Sequence, residues 1–387
     1  MRDKNILLVY IISCLRNSWF WMGIWIFYYL RFTDYSGIGL IETVQILTVL
    51  TMEIPTGAIA DLIGKKITIF VSLFFSAIGQ LIMATTGNFS GLLISVFILG
   101  IGGALYSGTM DAFLFDSLKE KNQHSKYGKI FSKIQTYQLL TIMICTIIGG
   151  YLYSFSPQLP FFLNSFCLFV GAFLSIFLVE PSIDTVKFSF KNFVFQTKQG
   201  FYYLFRSTDI RNITYLLITI SFIFTISTEM LDSVLGVEFG FDNKSLSLLT
   251  AVILLITSIV VQLAPVLRRK YGDVSSIFFI GLLAVLIYTI SPFVSLFLGG
   301  LVLVLRQSIN SLFQNFSSNI LNLSTPSQNR ATTISTFNMI SSLPYTIIAF
   351  SVGSLMDIIS ARNFTFILGA LLLVLLSINY LNLQKKQ

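Results

Sequence analysis

The chain has 387 residues, of which 55% are apolar and only 11% charged, and Phe alone occurs 38 times. An ordinary soluble domain carries roughly 25% charge, so a soluble fold would lack polar surface and most of this surface must face lipid. A net charge of +8 would point to nucleic acid in a soluble protein, but here the basic residues fall in short clusters between apolar runs, a topology signal that excludes that reading.

A helical span needs about 20 mostly apolar residues, and twelve segments qualify. The first six lie at about 6–31, 37–60, 67–86, 91–117, 130–155 and 160–179. After a break come about 212–236, 245–267, 274–292, 294–318, 333–357 and 363–382. Arg2 and Lys4 precede the first run, but no small-residue cleavage signal follows, so this run is read as a retained span. Thr86-Gly87-Asn88 and Ser156-Pro157 break helices at short connections. Most basic residues, among them Lys65, Lys66, Lys119, Arg268, Arg269 and Lys385, fall on one set of loops. By the positive-inside rule those loops and both termini are cytoplasmic.

The longest polar break, 181–211, separates six spans from six. It contains a basic amphipathic stretch with Lys187, Lys191 and Lys198, which reads as a linker, as a surface helix on anionic lipid, or as both. A shift of 208 residues aligns Asp34–Gly64 with Asp242–Gly272 without a gap, matching Asp34 with Asp242, Leu40 with Leu248, and Gly64 with Gly272. The expected architecture is an all-α integral membrane protein of twelve transmembrane helices in two pseudo-symmetric six-helix bundles, 1–180 and 212–387.

The sharpest motif follows the second span: Gly57-Ala-Ile-Ala-Asp61-Leu-Ile-Gly64-Lys65-Lys66. Gly57, Asp61 and Gly64 stand at i, i+4 and i+7 and share a helix face. Gly57 lets a neighbouring helix approach, Asp61 can accept from another helix's N-terminus, and Gly64 permits a positive φ. In this loop the chain resembles the major facilitator superfamily, whose hallmark is G-x-x-x-D-x-x-G-[RK]-[RK]. The resemblance implies that Gly57, Asp61, Gly64, Lys65 and Lys66 form a conformational latch. It also implies that spans one, four, seven and ten line a central cavity while three, six, nine and twelve face lipid. The counterpart loop, Arg268-Arg269-Lys270-Tyr271-Gly272-Asp273, has an inverted charge pattern, so a degenerate second latch is expected. Two departures from the family matter. Val96 stands where many proton-coupled members carry arginine before a G-x-G, here Gly100 and Gly102. Only Gly149-Gly150 remains of the drug-antiporter pattern in span five.

Charges inside apolar spans are costly and mark candidate sites. Glu53, Asp111, Glu229 and Asp232 are the candidate proton carriers. Arg16 and Arg306, with Trp21 and Trp25, are the candidate substrate-cavity residues, Arg16 lying roughly 15 Å into span one. Arg16 is expected to pair with Glu53 or Asp111, and Asp116 to join the latch through Lys65 or Lys66. The three cysteines, Cys14, Cys145 and Cys167, are scattered and His124 is alone, so no metal site and no cofactor are expected. No G-x-x-x-x-G-K-[ST] loop or hydrolase cluster supports an enzyme.

The leading expectation is secondary active transport of a small molecule by alternating access, specifically proton-coupled export of a lipophilic or drug-like solute. The alternative is a proton-coupled nutrient or metabolite symporter in which Arg16 and Arg306 bind an anionic group. The expected setting is a monomer in the lipid bilayer of a bacterial-type plasma (inner) membrane, with protons as the coupling ion and no nucleic-acid partner.

Overall fold

The computed structural model describes residues 4–182, 190–326 and 329–384, with the side chains at 53–62, 190, 192–193, 331 and 382–384 left outside the description. Every element among the described residues is helical. The first half holds α1 (Lys4–Arg16), α2 (Trp25–Tyr29), α3 (Tyr35–Ile63), α4 (Lys65–Thr85), α5 (Phe89–Tyr106), α6 (Thr109–Glu120), α7 (Tyr127–Phe155) and α8 (Leu159–Ser175). The helix α9 (Phe190–Phe205) lies in the polar break. Then come α10 (Thr208–Ile226), a π-helical turn (Ser227–Leu231), α11 (Asp232–Phe239), α12 (Asn243–Val260), α13 (Ala264–Tyr271) and α14 (Asp273–Ile290). The chain closes with α15 (Leu296–Ser324), α16 (Arg330–Ile359) and α17 (Ala361–Gln384).

Ten helices among the described residues are long and apolar enough to cross a membrane, and Leu159–Ser175 is a shorter apolar helix. Span one departs from the expectation of a single helix over 6–31. It breaks after Arg16 and resumes at Trp25. The apolar run is continuous there, but Asn17 and Ser18 turn their side chains onto the carbonyls of Ser13 and Leu15 at 2.9 and 2.6 Å. Such side chains compete with the helical ladder for its own acceptors. Span four is also jointed: Gly108, at φ 72°, separates α5 from α6.

The chain divides into two compact units. One comprises residues 1–33, 41–190 and 243–251, and the other 34–40, 191–242 and 252–387. In the first, α4 packs against α5 and α8 through small and hydroxylic residues. Ser95 Oγ donates to Gly79 O at 2.9 Å and Ser165 Oγ to Ala77 O at 2.8 Å. A methyl group at Gly102 would fall 2.3 Å from Ser76 Oγ, so only glycine fits this crossing. Between lipid-embedded helices no hydrophobic force favours association, and close approach plus interhelical hydrogen bonds must supply it. Ile12, Ile69, Leu73, Phe113 and Leu118 fill the core beneath. In the second unit α14 packs against α15 and α17, and α10 against α16 and α17.

Candidate functional site

The motif loop folds as a charged corner of the first unit. Gly64 adopts φ 88°, the positive value for which glycine was expected, and α4 begins at the next residue. The backbone amides of Lys65 and Lys66 donate to the two carboxylate oxygens of Glu180 at 2.8 and 2.6 Å. A carboxylate at a helix N-terminus answers both the free amides and the positive end of the dipole. Lys65 Nζ meets Asp116 Oδ2 at 2.6 Å, with both side chains largely buried. The expected contact of Asp116 with Lys65 is thus formed, and Glu180, the last residue counted with the first bundle, joins this corner at the N-terminus of α4. Glu53, Gly57 and Asp61 fall on α3, and their side chains lie outside the described residues. The counterpart loop is bonded as well. Arg268 Nε pairs with Asp273 Oδ1 at 2.7 Å, and Asn319 Nδ2 donates to Asp273 Oδ2 at 2.8 Å.

Span seven carries a polar knot. Arg306, on α15, is 2% exposed and aims Nε at Asp232 Oδ1, 2.6 Å away. Its Nη2 donates to Ser227 Oγ at 2.8 Å, and Ser227 Oγ donates to Asp232 Oδ1 at 2.7 Å. Gln307 Nε2 donates to the other carboxylate oxygen at 2.9 Å. The guanidinium carbon stands 3.8 Å from the centre of the Tyr288 ring, a cation–π contact. Of the two candidate arginines, Arg306 thus has its countercharge inside the protein. Glu229, in the π-turn three residues before Asp232, is exposed and makes no hydrogen bond or ion pair among the described residues. It stands ten residues, about 15 Å, before the end of α11.

Span one differs. The break at 17–24 is held from within the first unit. Asn164 Nδ2 donates to Ser18 O at 2.8 Å, and Trp21 Nε1 donates to Asn164 Oδ1 at 3.1 Å. Gly149 admits the backbone of Phe20, since a methyl group there would fall 1.7 Å from Phe20 O. Arg16 ends α1, and its Nε is buried without a hydrogen-bond partner. Its guanidinium lies 5.4 Å from the centre of the Tyr106 ring. The expected pairing with Asp111 is not formed: Asp111 is exposed on the first turn of α6, and no ion pair to Arg16 exists among the described residues. Trp21 is engaged by Asn164, and Trp25 packs edge-on against Tyr29 at 5.4 Å. On the opposite face of α1, Ile6, Tyr10, Cys14, Leu15, Lys133 and Tyr137 line a cavity of about 610 Å³.

The sequence profile of the Major Facilitator Superfamily matches residues 6–349. This chain belongs to the Major Facilitator Superfamily. Over 163 residues it is 28% identical to the "Uncharacterized MFS-type transporter YxaM" of Bacillus subtilis (strain 168), a match covering 42% of this chain and 40% of that protein. Over 162 residues it is 30% identical to the "Uncharacterized transporter BU466" of Buchnera aphidicola subsp. Acyrthosiphon pisum (strain APS), covering 42% and 38%. The matches span no more than 40% of the length of these two relatives. The fold is similar to that of the nucleoside transporter NupG (TM-score 0.80, 14% identity, 98% of each chain covered). It is also similar to a bacterial homologue of the human lysosomal transporter Spinster (TM-score 0.78, 12% identity, 99% of this chain and 98% of that one). At these identities the likeness is one of fold.

Within this superfamily member, sequence reading found the intramembrane charges, because each interrupts an apolar run. It missed Ser227, Gln307, Asn164 and Glu180. Polar residues at those places are unremarkable in sequence, and their roles follow from what they face. The pair Asn17-Ser18, followed by Gly23, was the one local signal that could have placed the break.

Proposed function

We propose that this chain is a proton-coupled secondary active transporter that exports a small, largely apolar solute by alternating access. Its bundles, 1–180 and 212–387, are joined through 181–211, and both termini lie on the cytoplasmic side of a bacterial-type plasma membrane. The carrier works as a monomer, and transport rather than catalysis is its activity. The observation that carries the coupling assignment is the contrast between two neighbouring carboxylates. Asp232 accepts from three donors, so adding a proton to it weakens bonds already made. Glu229, on the exposed side of a π-turn, has no such partner among the described residues. π-turns inside α-helices recur at functional sites because they turn one side chain out of the helical register. A proton carrier needs a carboxylate free to gain and lose a proton at membrane depth, and Glu229 supports that role better than Asp232 or Asp111. Glu53 remains the rival from the first half.

The test is flux in proteoliposomes holding the full chain, with and without an imposed pH gradient. Glu229→Gln keeps shape and hydrogen bonding but cannot exchange the proton. Gradient-driven accumulation is expected to fall at least tenfold while solute exchange at equal pH persists. If Glu229→Gln still concentrates solute and Glu53→Gln does not, the carrier is Glu53. Undiminished drive in both variants would remove proton coupling through these residues.

A further inference from the structure

Non-helical backbone at membrane depth persists only where protein buries it or where it lines a wet cavity. The break at 17–24 meets that condition through Asn164 and Gly149, which fix it from the side. At its edge stands an unanswered cation. Among the described residues Arg16 Nε has no acceptor, and the residue as a whole is only partly buried. Two more polar atoms beside it are buried and face one another: Ser13 Oγ, one turn back on α1, and the hydroxyl of Tyr106, whose ring the guanidinium overlies.

Buried polar atoms are nearly always satisfied, so a guanidinium Nε with no acceptor among the described residues, beside two hydroxyls that have only each other, marks a position that something else completes. The negative end of α1 offsets about half an elementary charge at Arg16. A monoanion then leaves about half a negative charge in excess, and a dianion about one and a half. A carboxylate presents two coplanar oxygens to the guanidinium fork, and its free lone pairs suit the Tyr106 and Ser13 hydroxyls. With one guanidinium as its cation, the site would carry surplus negative charge on taking up a phosphate monoester. The partly buried Trp19 and Met22 in the same break give the apolar surroundings that suit a hydrocarbon body.

We propose that the break in span one, with Arg16 at its edge, is the substrate subsite for the carboxylate of an amphipathic organic monoacid. This rests on the transporter reading above and names its substrate class.

The test uses the full chain in lipid nanodiscs, with straight-chain monocarboxylates from butanoate to decanoate as probes. The corresponding primary amides and alkyl phosphates are the controls. Saturable binding of at least one carboxylate is expected, at least tenfold tighter than its amide and tighter than the matching phosphate. Arg16→Gln is expected to weaken it at least tenfold. Arg16→Lys keeps the charge without the planar fork and is expected to weaken it severalfold, which keeps the test decisive if the glutamine variant does not insert. Lys129→Gln, at an exposed position on α7, is the comparison variant and should bind as wild type does. The proposal is overturned if Arg16→Gln and Arg16→Lys bind the carboxylate unchanged, if the amide binds equally well, or if the alkyl phosphate binds more tightly. Arg16-dependent binding without flux in vesicles would uphold the subsite and overturn the carrier reading instead.

Discussion

Spans one and seven are counterparts in the internal repeat, and both lose α-helical regularity at the same place. The 208-residue shift carries the break at 17–24 onto 225–232, which contains the π-turn Ser227–Leu231. The irregularity is shared, and the chemistry placed on it is not. Ile24 stands where the second half has Asp232, and Ile98 where it has Arg306. The second half therefore encloses an ion pair next to an open carboxylate, while in the first half Arg16 has no countercharge among the described residues. A duplicated bundle can keep the position of a weak point in a helix and still give each copy a separate task.

The largest expected effect tests the enclosed pair. Asp232→Ala leaves the Arg306 guanidinium buried and unpaired, which should cost about 3–5 kcal/mol in thermal or denaturant unfolding of the purified protein. The double change Asp232→Ile with Arg306→Ile installs the residues of the first half. It should recover most of that loss, because a buried pair exchanged for apolar residues is often neutral or better. A double variant no more stable than the single one would show that span seven needs the pair for packing, and the two halves would then differ in architecture as well as charge.

A smaller effect is expected at the break itself. Gly149→Ala pushes a methyl group into the Phe20 carbonyl, and overpacking of this kind costs about 1–3 kcal/mol. The comparison sharpens if this variant loses carboxylate binding at Arg16 while keeping its Glu229-dependent response to a pH gradient. It breaks if both functions fail together at unchanged stability. The smallest effect should come from Glu180→Gln, outside both irregular segments. The capping carboxylate is exposed, so its loss should cost about 0.5 kcal/mol, diminish further at high salt, and leave both functions in place.

The sequence made the fold class legible because lipid imposes length and hydropathy on each span, and Gly64, Lys65 and Lys66 could be read from spacing. The partners were a different matter. Arg306 and Asp232 are 74 residues apart and meet only because two helices present particular faces to one another. The break in span one was hidden by its own hydropathy, since Trp19, Phe20, Trp21 and Met22 read as an uninterrupted apolar run whatever their backbone does. Arg16 was read as charged and central, but its expected pairing with Asp111 depended on rotation about α6, which the joint at Gly108 changes.

That joint has a mechanical meaning. Ser107 N bonds back to Gly103 O, and Ala112 N starts afresh from Gly108 O, so span four is two hydrogen-bonded rods meeting at one glycine. A continuous rod would carry a torque applied at one end through to the other. Here the short rod α6 holds Asp116, and through it Lys65, while Tyr106 ends the other rod, α5. Between the ring under Arg16 and the charged corner the helical ladder is interrupted, and the Thr109 Oγ1 bond to Leu105 O at 2.9 Å crosses the gap.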